Sequence, residues 1–195
     1  MGKHKGLNFY KKKKELSTAT IREIWSWIFI IFIAVFLAFV IIFSVGMKTS
    51  VIGESMEPSL YNGQNILIDR FIYNIISPKR GDVIVFLPNG NQNAHYYVKR
   101  IVGLPGETIQ VIDGRVYIDG KFLEEDETTF DKIADAGIAV NEIVLGNDEY
   151  FVLGDNRNNS EDSRNANIGS IKKNTIVGKA WYHMASSKAG MNFIK

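Results

Sequence analysis

From Ile24 to Met47 the chain runs 24 residues without a charge, "IWSWIFIIFIAVFLAFVIIFSVGM". Helical, that stretch is about 36 Å long, enough to cross a hydrocarbon core of about 30 Å with some tilt. A cleavable leader has an apolar stretch of only about 7–15 residues, so an uncleaved anchor over 24–47 is expected. Ser44-Val45-Gly46 supplies the small residues that cleavage would need, and cleavage there is the alternative reading.

The flanks orient the anchor. Residues 1–23 carry seven basic side chains (Lys3, Lys5, Lys11, Lys12, Lys13, Lys14, Arg22) against Glu15 and Glu23, a balance of +5. The whole chain is +2, so residues 24–195 are −3. Basic flanks stay in the cytoplasm. The expectation is a cytoplasmic tail over 1–23 and an extracytoplasmic domain over 48–195, in a single-pass protein of the cell membrane. Trp25 and Trp27 suit the inner interface. Read without the anchor, the lysine run would be a nucleic-acid arm; beside it, lipid is the expected neighbour and no nucleic-acid partner is expected.

The chain has no cysteine, which excludes thiol catalysis, disulfides and cysteine-bound zinc. His4, His95 and His183 do not form a metal spacing, so neither a metal site nor a cofactor is expected.

Beyond Thr49 the pattern is mainly β. "NILIDRFI", "GDVIVFL", "YYVKRIVG" and "TIVGKAWYHM" are short alternating or β-branched runs. "TIQVIDGRVYIDGKFL" predicts hairpin turns at Asp113-Gly114 and Asp119-Gly120. "EIVLGNDEYFVLGDN" predicts a strand pair around Gly146-Asn147. Only "DKIADAG" has a helical character. Short strands with frequent turns predict an antiparallel, partly closed β-domain with a small second β-region at about 107–150.

Ser55 sits in "VIGESMEPSL", framed by Gly53 and Pro58. A serine hydroxyl needs a base to become a nucleophile. His95 and Lys99 both stand in the run that follows. On a period-2 strand Tyr97, Lys99 and Ile101 share one face while Val98 and Arg100 share the other. An aromatic ring and an isoleucine would desolvate the Lys99 amine and disfavour its charge. The same spacing also fits an exposed strand lysine, so periodicity alone leaves the base open.

"GESMEPSL", "KRGDVIVF", "YYVKRIVGLPGE" and "GDNRNNSEDSR" follow one another in this order behind the anchor. Together they resemble bacterial type I signal peptidases, in the compact Gram-positive-like form. The resemblance spans Gly53 to Arg164. It implies a membrane-bound serine endopeptidase that removes signal peptides from secreted preproteins through a Ser/Lys dyad, with Ser55 as nucleophile and Lys99 as base. It implies that the Ser160 hydroxyl orients the amine and that an Asp162–Arg164 ion pair supports the site. Met56, Leu60, Val85, Tyr97 and Val98 would line the substrate cleft. Some members carry a serine two residues before the nucleophile whose hydroxyl binds the oxyanion; here that position is Gly53, leaving backbone donors. Secreted preproteins are the expected partners, with the translocation machinery as a further one. The eight residues from Met47 to Ser55 reach at most about 29 Å, which would keep the serine close to the outer membrane face. Two other readings use the same motifs: a catalytically silent paralogue that only binds preproteins or translocation partners, and a repressor-type self-cleaving relative, which the anchor disfavours.

Overall fold

The computed structural model describes residues 17–45, 47–91, 95–124 and 129–194, so most of the basic tail lies outside the described residues. Helix α1 spans Thr18–Val45. Its side chains are exposed on every face through Val40. The helix opens a turn and a half before the charge-free run, because Arg22 and Glu23 end the apolar stretch without interrupting the hydrogen-bond ladder. Ser17 Oγ accepts the Ala19 N–H at 3.2 Å at its start. Met47, expected in the anchor, instead opens the first strand. The 23 residues Thr18–Val40 are long and apolar enough to cross a membrane.

The remainder is a separate β unit. Its main sheet is built from β1 (Met47–Ser50), β2 (Asn65–Asp69), β3 (Val83–Phe86), β4 (Tyr97–Gly103), β9 (Glu149–Leu153), β10 (Ile171–Lys172), β11 (Ile176–His183) and β12 (Asn192–Phe193). The order is β1-β2-β11-β3-β4-β9-β10, with β12 beside β11, and every pair is antiparallel. A smaller sheet holds β5 (Thr108–Ile112), β6 (Arg115–Ile118), β7 (Lys121–Phe122) and β8 (Ile143–Val144), ordered β7-β6-β5-β8. The class is mainly β, a curled antiparallel half-barrel with a small second β-region, as expected.

Central strand β3 shows why the sheet curls. All four of its residues are buried, with Val83 and Val85 in one apolar cluster and Ile84 and Phe86 in another. A strand buried on both faces needs apolar cover on each side, and here the sheet curls over one of the two clusters. Register breaks in β11 at Ala180/Tyr182 and Ile176/Gly178, and between β4 and β9 at Ile101/Gly103, supply the bending. A third cluster, around Val102, Ile109, Val116 and Phe151, joins the small sheet to the main one.

The predicted hairpins are present. Asp113 and Gly114 have φ of 51° and 76°, and Asp119 and Gly120 have 49° and 72°, the left-handed pairs of tight hairpin turns. Three expectations change. Asp131–Ala136 is not helical, and only a short 3-10 turn opens at Gly137: the amides of the segment find other partners, with Ile133 N–H on Gly114 O at 3.0 Å and Ala134 N–H on Asn158 Oδ1 at 2.8 Å. The two runs flanking Gly146-Asn147 do not pair with each other; β8 joins β5 and β9 joins β4. The chain crosses between sheets at this turn, and Ile143 on one side and Phe151 and Leu153 on the other pack into one shared cluster. A short helix α2 (Ile72–Ile75) follows β2, started by Asp69 Oδ1, which accepts the Phe71 and Ile72 N–H groups at 2.9 and 3.0 Å.

Candidate active site

Ser55 lies on the loop between β1 and β2. The ends of the loop are tied by Val51 N–H to Gln64 O and Gly63 N–H to Val51 O, both 2.8 Å. Gln64 also accepts the Tyr61 N–H, and its amide bonds His183 Nδ1 at 2.8 Å and Met184 O at 2.9 Å. Met56 and Leu60 anchor the loop from below, each fully buried in the cluster with Val85 and Val98. Gly53 adopts φ 86°, a conformation that side chains rarely take, and its N–H is committed to Asn62 Oδ1 at 3.1 Å. The Ser55 N–H has no acceptor among the described residues.

Lys99 comes from the middle of β4, opposite Ile84 of β3. Its Nζ donates to Ser55 Oγ at 2.6 Å, and the residue is 4% exposed. The Tyr97 ring lies beneath the amine, 5.5 Å from Nζ to the centroid. Burial pushes the Lys99 amine down to about 8; Asp162, Glu161 and Asp155 oppose that shift and Arg164 adds to it. Strand parity thus places Lys99 as expected and sends Arg100 to the opposite face. Arg100 is largely withdrawn from solvent there: it grips Asp155 with two bonds of 2.7 and 2.6 Å and donates to Gly81 O at 2.8 Å.

The third component is the 154–164 segment after β9. Its backbone approaches the serine loop closely, with Asn156 N–H on Ser55 O at 3.0 Å and Asn156 Nδ2 on Glu54 O at 3.2 Å. Gly154 makes that approach feasible, because a Cβ there would lie 2.2 Å from Ser160 Oγ and 2.5 Å from Ser55 O. Asp162 and Arg164 pair through two bonds of 2.8 Å, both side chains buried, and Asp162 Oδ2 also accepts the Gly154 N–H at 3.0 Å. Arg164 reaches Asp135 O at 3.0 Å. The ion pair therefore holds the end of β9 against the loop that carries Ser160.

Ser55, Lys99, Ser160, Gly53, Tyr97 and Val98 share a cleft of about 540 Å³. Met56, Leu60 and Val85 do not line it: they are fully buried beneath it, because their side chains point into the core that supports the loop. Ser160 Oγ is buried and makes no hydrogen bond among the described residues, so the bond to the Lys99 amine implied by the resemblance is not formed. His95 lines the cleft but is exposed, and no hydrogen bond links it to Ser55. Gly154, Asn156, Asp155 and Glu161 had no role in the sequence reading. All four stand in "GDNRNNSEDSR", and that motif was the signal available.

The profile of the family described as "Signal peptidase, peptidase S26" matches residues 24–184. The chain belongs to this family. It is 36% identical over 180 residues to "Signal peptidase I P" of Bacillus subtilis subsp. natto, covering 87% of this chain and 91% of the relative. It is 36% identical over 184 residues to "Signal peptidase I T" of Bacillus subtilis (strain 168), covering 91% and 92%. A crystal structure of a signal peptidase I from Enterococcus faecalis V583 is 32% identical and covers 54% of this chain and 97% of that one, at a TM-score of 0.41. As a member of this family, the chain is a serine peptidase that removes signal peptides. Helix α1 is consistent with membrane anchoring.

Proposed function

We propose that this signal peptidase is a membrane-bound endopeptidase that works through a Ser55/Lys99 dyad. The observation that carries the reading is the 2.6 Å bond between Lys99 Nζ and Ser55 Oγ inside a buried site. A lysine is a base only when neutral. At an unperturbed value near 10.4, roughly 0.04% of the amine is neutral at pH 7; at about 8 the fraction is roughly a tenth. Burial thus raises the supply of base by more than two orders of magnitude.

In this mechanism the neutral Lys99 amine takes the Ser55 proton as Oγ attacks the scissile carbonyl. The resulting ammonium gives its proton to the leaving amine, and the acyl-enzyme is released by a water that Lys99 deprotonates in turn. The Ser55 N–H, free of other acceptors among the described residues, is the backbone donor to the oxyanion. The Gly53 N–H is already engaged by Asn62 and is not that donor. Asp162 and Arg164 support the site by fixing the loop around Ser160.

The preprotein binds extended across the cleft walled by Tyr97 and Val98, adding to the strand edges beside Ser55 and Lys99. The basic tail stays in the cytoplasm, α1 anchors the chain, and the β unit acts outside, where a translocated signal peptide ends. Detergent-solubilised enzyme incubated with a model preprotein tests the assignment. Ser55→Ala and Lys99→Ala should each abolish cleavage in folded protein, and the double variant should be no slower than either. Substantial turnover by Lys99→Ala would remove lysine as the base and return His95 to consideration.

A further inference from the structure

Three carboxylates act on the Lys99 amine, and they are not equivalent. Asp162 is neutralised by two bonds from Arg164, and Asp155 by two bonds from Arg100. Glu161 has no ion-pair partner among the described residues and is exposed at the cleft wall. Its Oε2 accepts the Tyr97 hydroxyl at 3.4 Å, and the ring of the same tyrosine lies under Lys99 Nζ. Tyr97 therefore touches both groups and fixes where the Glu161 charge stands. On the other sides of Lys99 are Ser55 and the apolar Ile84; Glu54, His95 and Tyr96 are the remaining charged or titratable groups that line the cleft.

Resting on the dyad reading above, we propose that Glu161 is a positioning residue that sets the pH at which this peptidase becomes active, by holding an unneutralised negative charge against the protonated form of Lys99. The Asp162 charge is the larger one acting on the amine, and Arg164 beside it acts in the opposite sense, more weakly than any of the three carboxylates. The Glu161 charge has no such counterpart. It stabilises the ammonium and delays the appearance of the neutral base as pH rises. An exposed carboxylate can be removed without unfolding the site, which Asp155 and Asp162 do not permit.

The sign follows directly. Glu161→Gln keeps an oxygen for the Tyr97 hydroxyl and removes only the charge. The ammonium loses support, so the activity midpoint moves to lower pH. For one exposed charge at this range the shift is on the order of 0.5–1 pH unit. At pH 7 cleavage becomes about two- to fivefold faster, while the alkaline plateau does not rise, because a less basic amine is also a weaker proton acceptor.

Single-turnover cleavage of a preprotein by the solubilised full chain, at pH 6–10 and at low and high salt, tests this. The set is wild type, Glu161→Gln, Glu161→Asp, Tyr97→Phe and Lys99→Ala. Expected results are an acid-shifted Gln midpoint, a wild-type-like Asp midpoint and a partial shift for Tyr97→Phe, whose carboxylate is no longer held. High salt should move the wild type towards the Gln variant and leave that variant in place. A Gln profile lowered equally at every pH, or shifted to the alkaline side, would overturn the inference while a Lys99-dependent wild-type profile leaves the dyad standing. Turnover by Lys99→Ala would overturn both.

Discussion

Replacing Asp162 by asparagine would test whether the buried ion pair organises the site or merely decorates it. Asp162 Oδ1 accepts from the Arg164 Nε and backbone N–H, and Oδ2 accepts from Arg164 Nη2 and the Gly154 N–H. An asparagine amide must turn its NH₂ toward one of those pairs of donors, whichever way it is flipped. The substitution therefore loses at least two bonds and strands a guanidinium that is only 8% exposed beside a carboxylate site that is wholly enclosed. Removing one partner of a buried pair typically costs about 3–5 kcal/mol. For a β unit of about 150 residues that corresponds to a fall in Tm on the order of 10 °C. Urea unfolding of the detergent-solubilised protein, followed by near-UV circular dichroism, reads the loss. Arg164→Met and the double variant complete the cycle. Removing the stranded cation should return part of the loss, so the double variant should be more stable than additivity predicts by at least about 1.5 kcal/mol. A loss under about 1 kcal/mol with no coupling would refute this account of the pair.

Three other outcomes are expected. Acylation by the wild type should rise with pH through about 8 and then level off, since raising pH creates the neutral Lys99 amine; a single-turnover profile already flat above pH 7 would count against lysine. Gly154→Ala should lower the cleavage rate by about 10²-fold or more with an intact helix signal, because its Cβ would collide with Ser160 Oγ and Ser55 O; near-normal kcat would show that the loop yields. Protease added to intact spheroplasts should digest the chain beyond α1 and spare the basic tail, and a protected β unit would reverse the orientation.

Much of the architecture was legible in the chain because it is set by local physics. A 24-residue run without charge can hardly be anything but a long apolar helix, whatever surrounds it. Asp-Gly pairs supply the positive φ that tight hairpins need, and both predicted turns formed where they stood. Period-2 geometry put Tyr97 and Lys99 on one face of β4 before any partner strand was known. The four motifs named the family, and through it Ser55 and Lys99.

What the chain did not disclose depends on groups far away in sequence. Parity says which way Lys99 points, not whether water waits there; its burial comes from β3, the Ser55 loop and the 154–164 segment closing around it. Met56, Leu60 and Val85 look the same as cleft residues or core residues until the fold shows them packed beneath the loop. The runs on either side of Gly146-Asn147 look like a hairpin, but each is claimed by a different sheet, and the two meet only as side chains in one shared apolar cluster. The clamp of Asn156 on Ser55 joins residues 101 positions apart, and the bond from Lys99 to Ser55 spans 44. Proximity of that kind is decided by sheet order and strand register, which only the assembled structure holds.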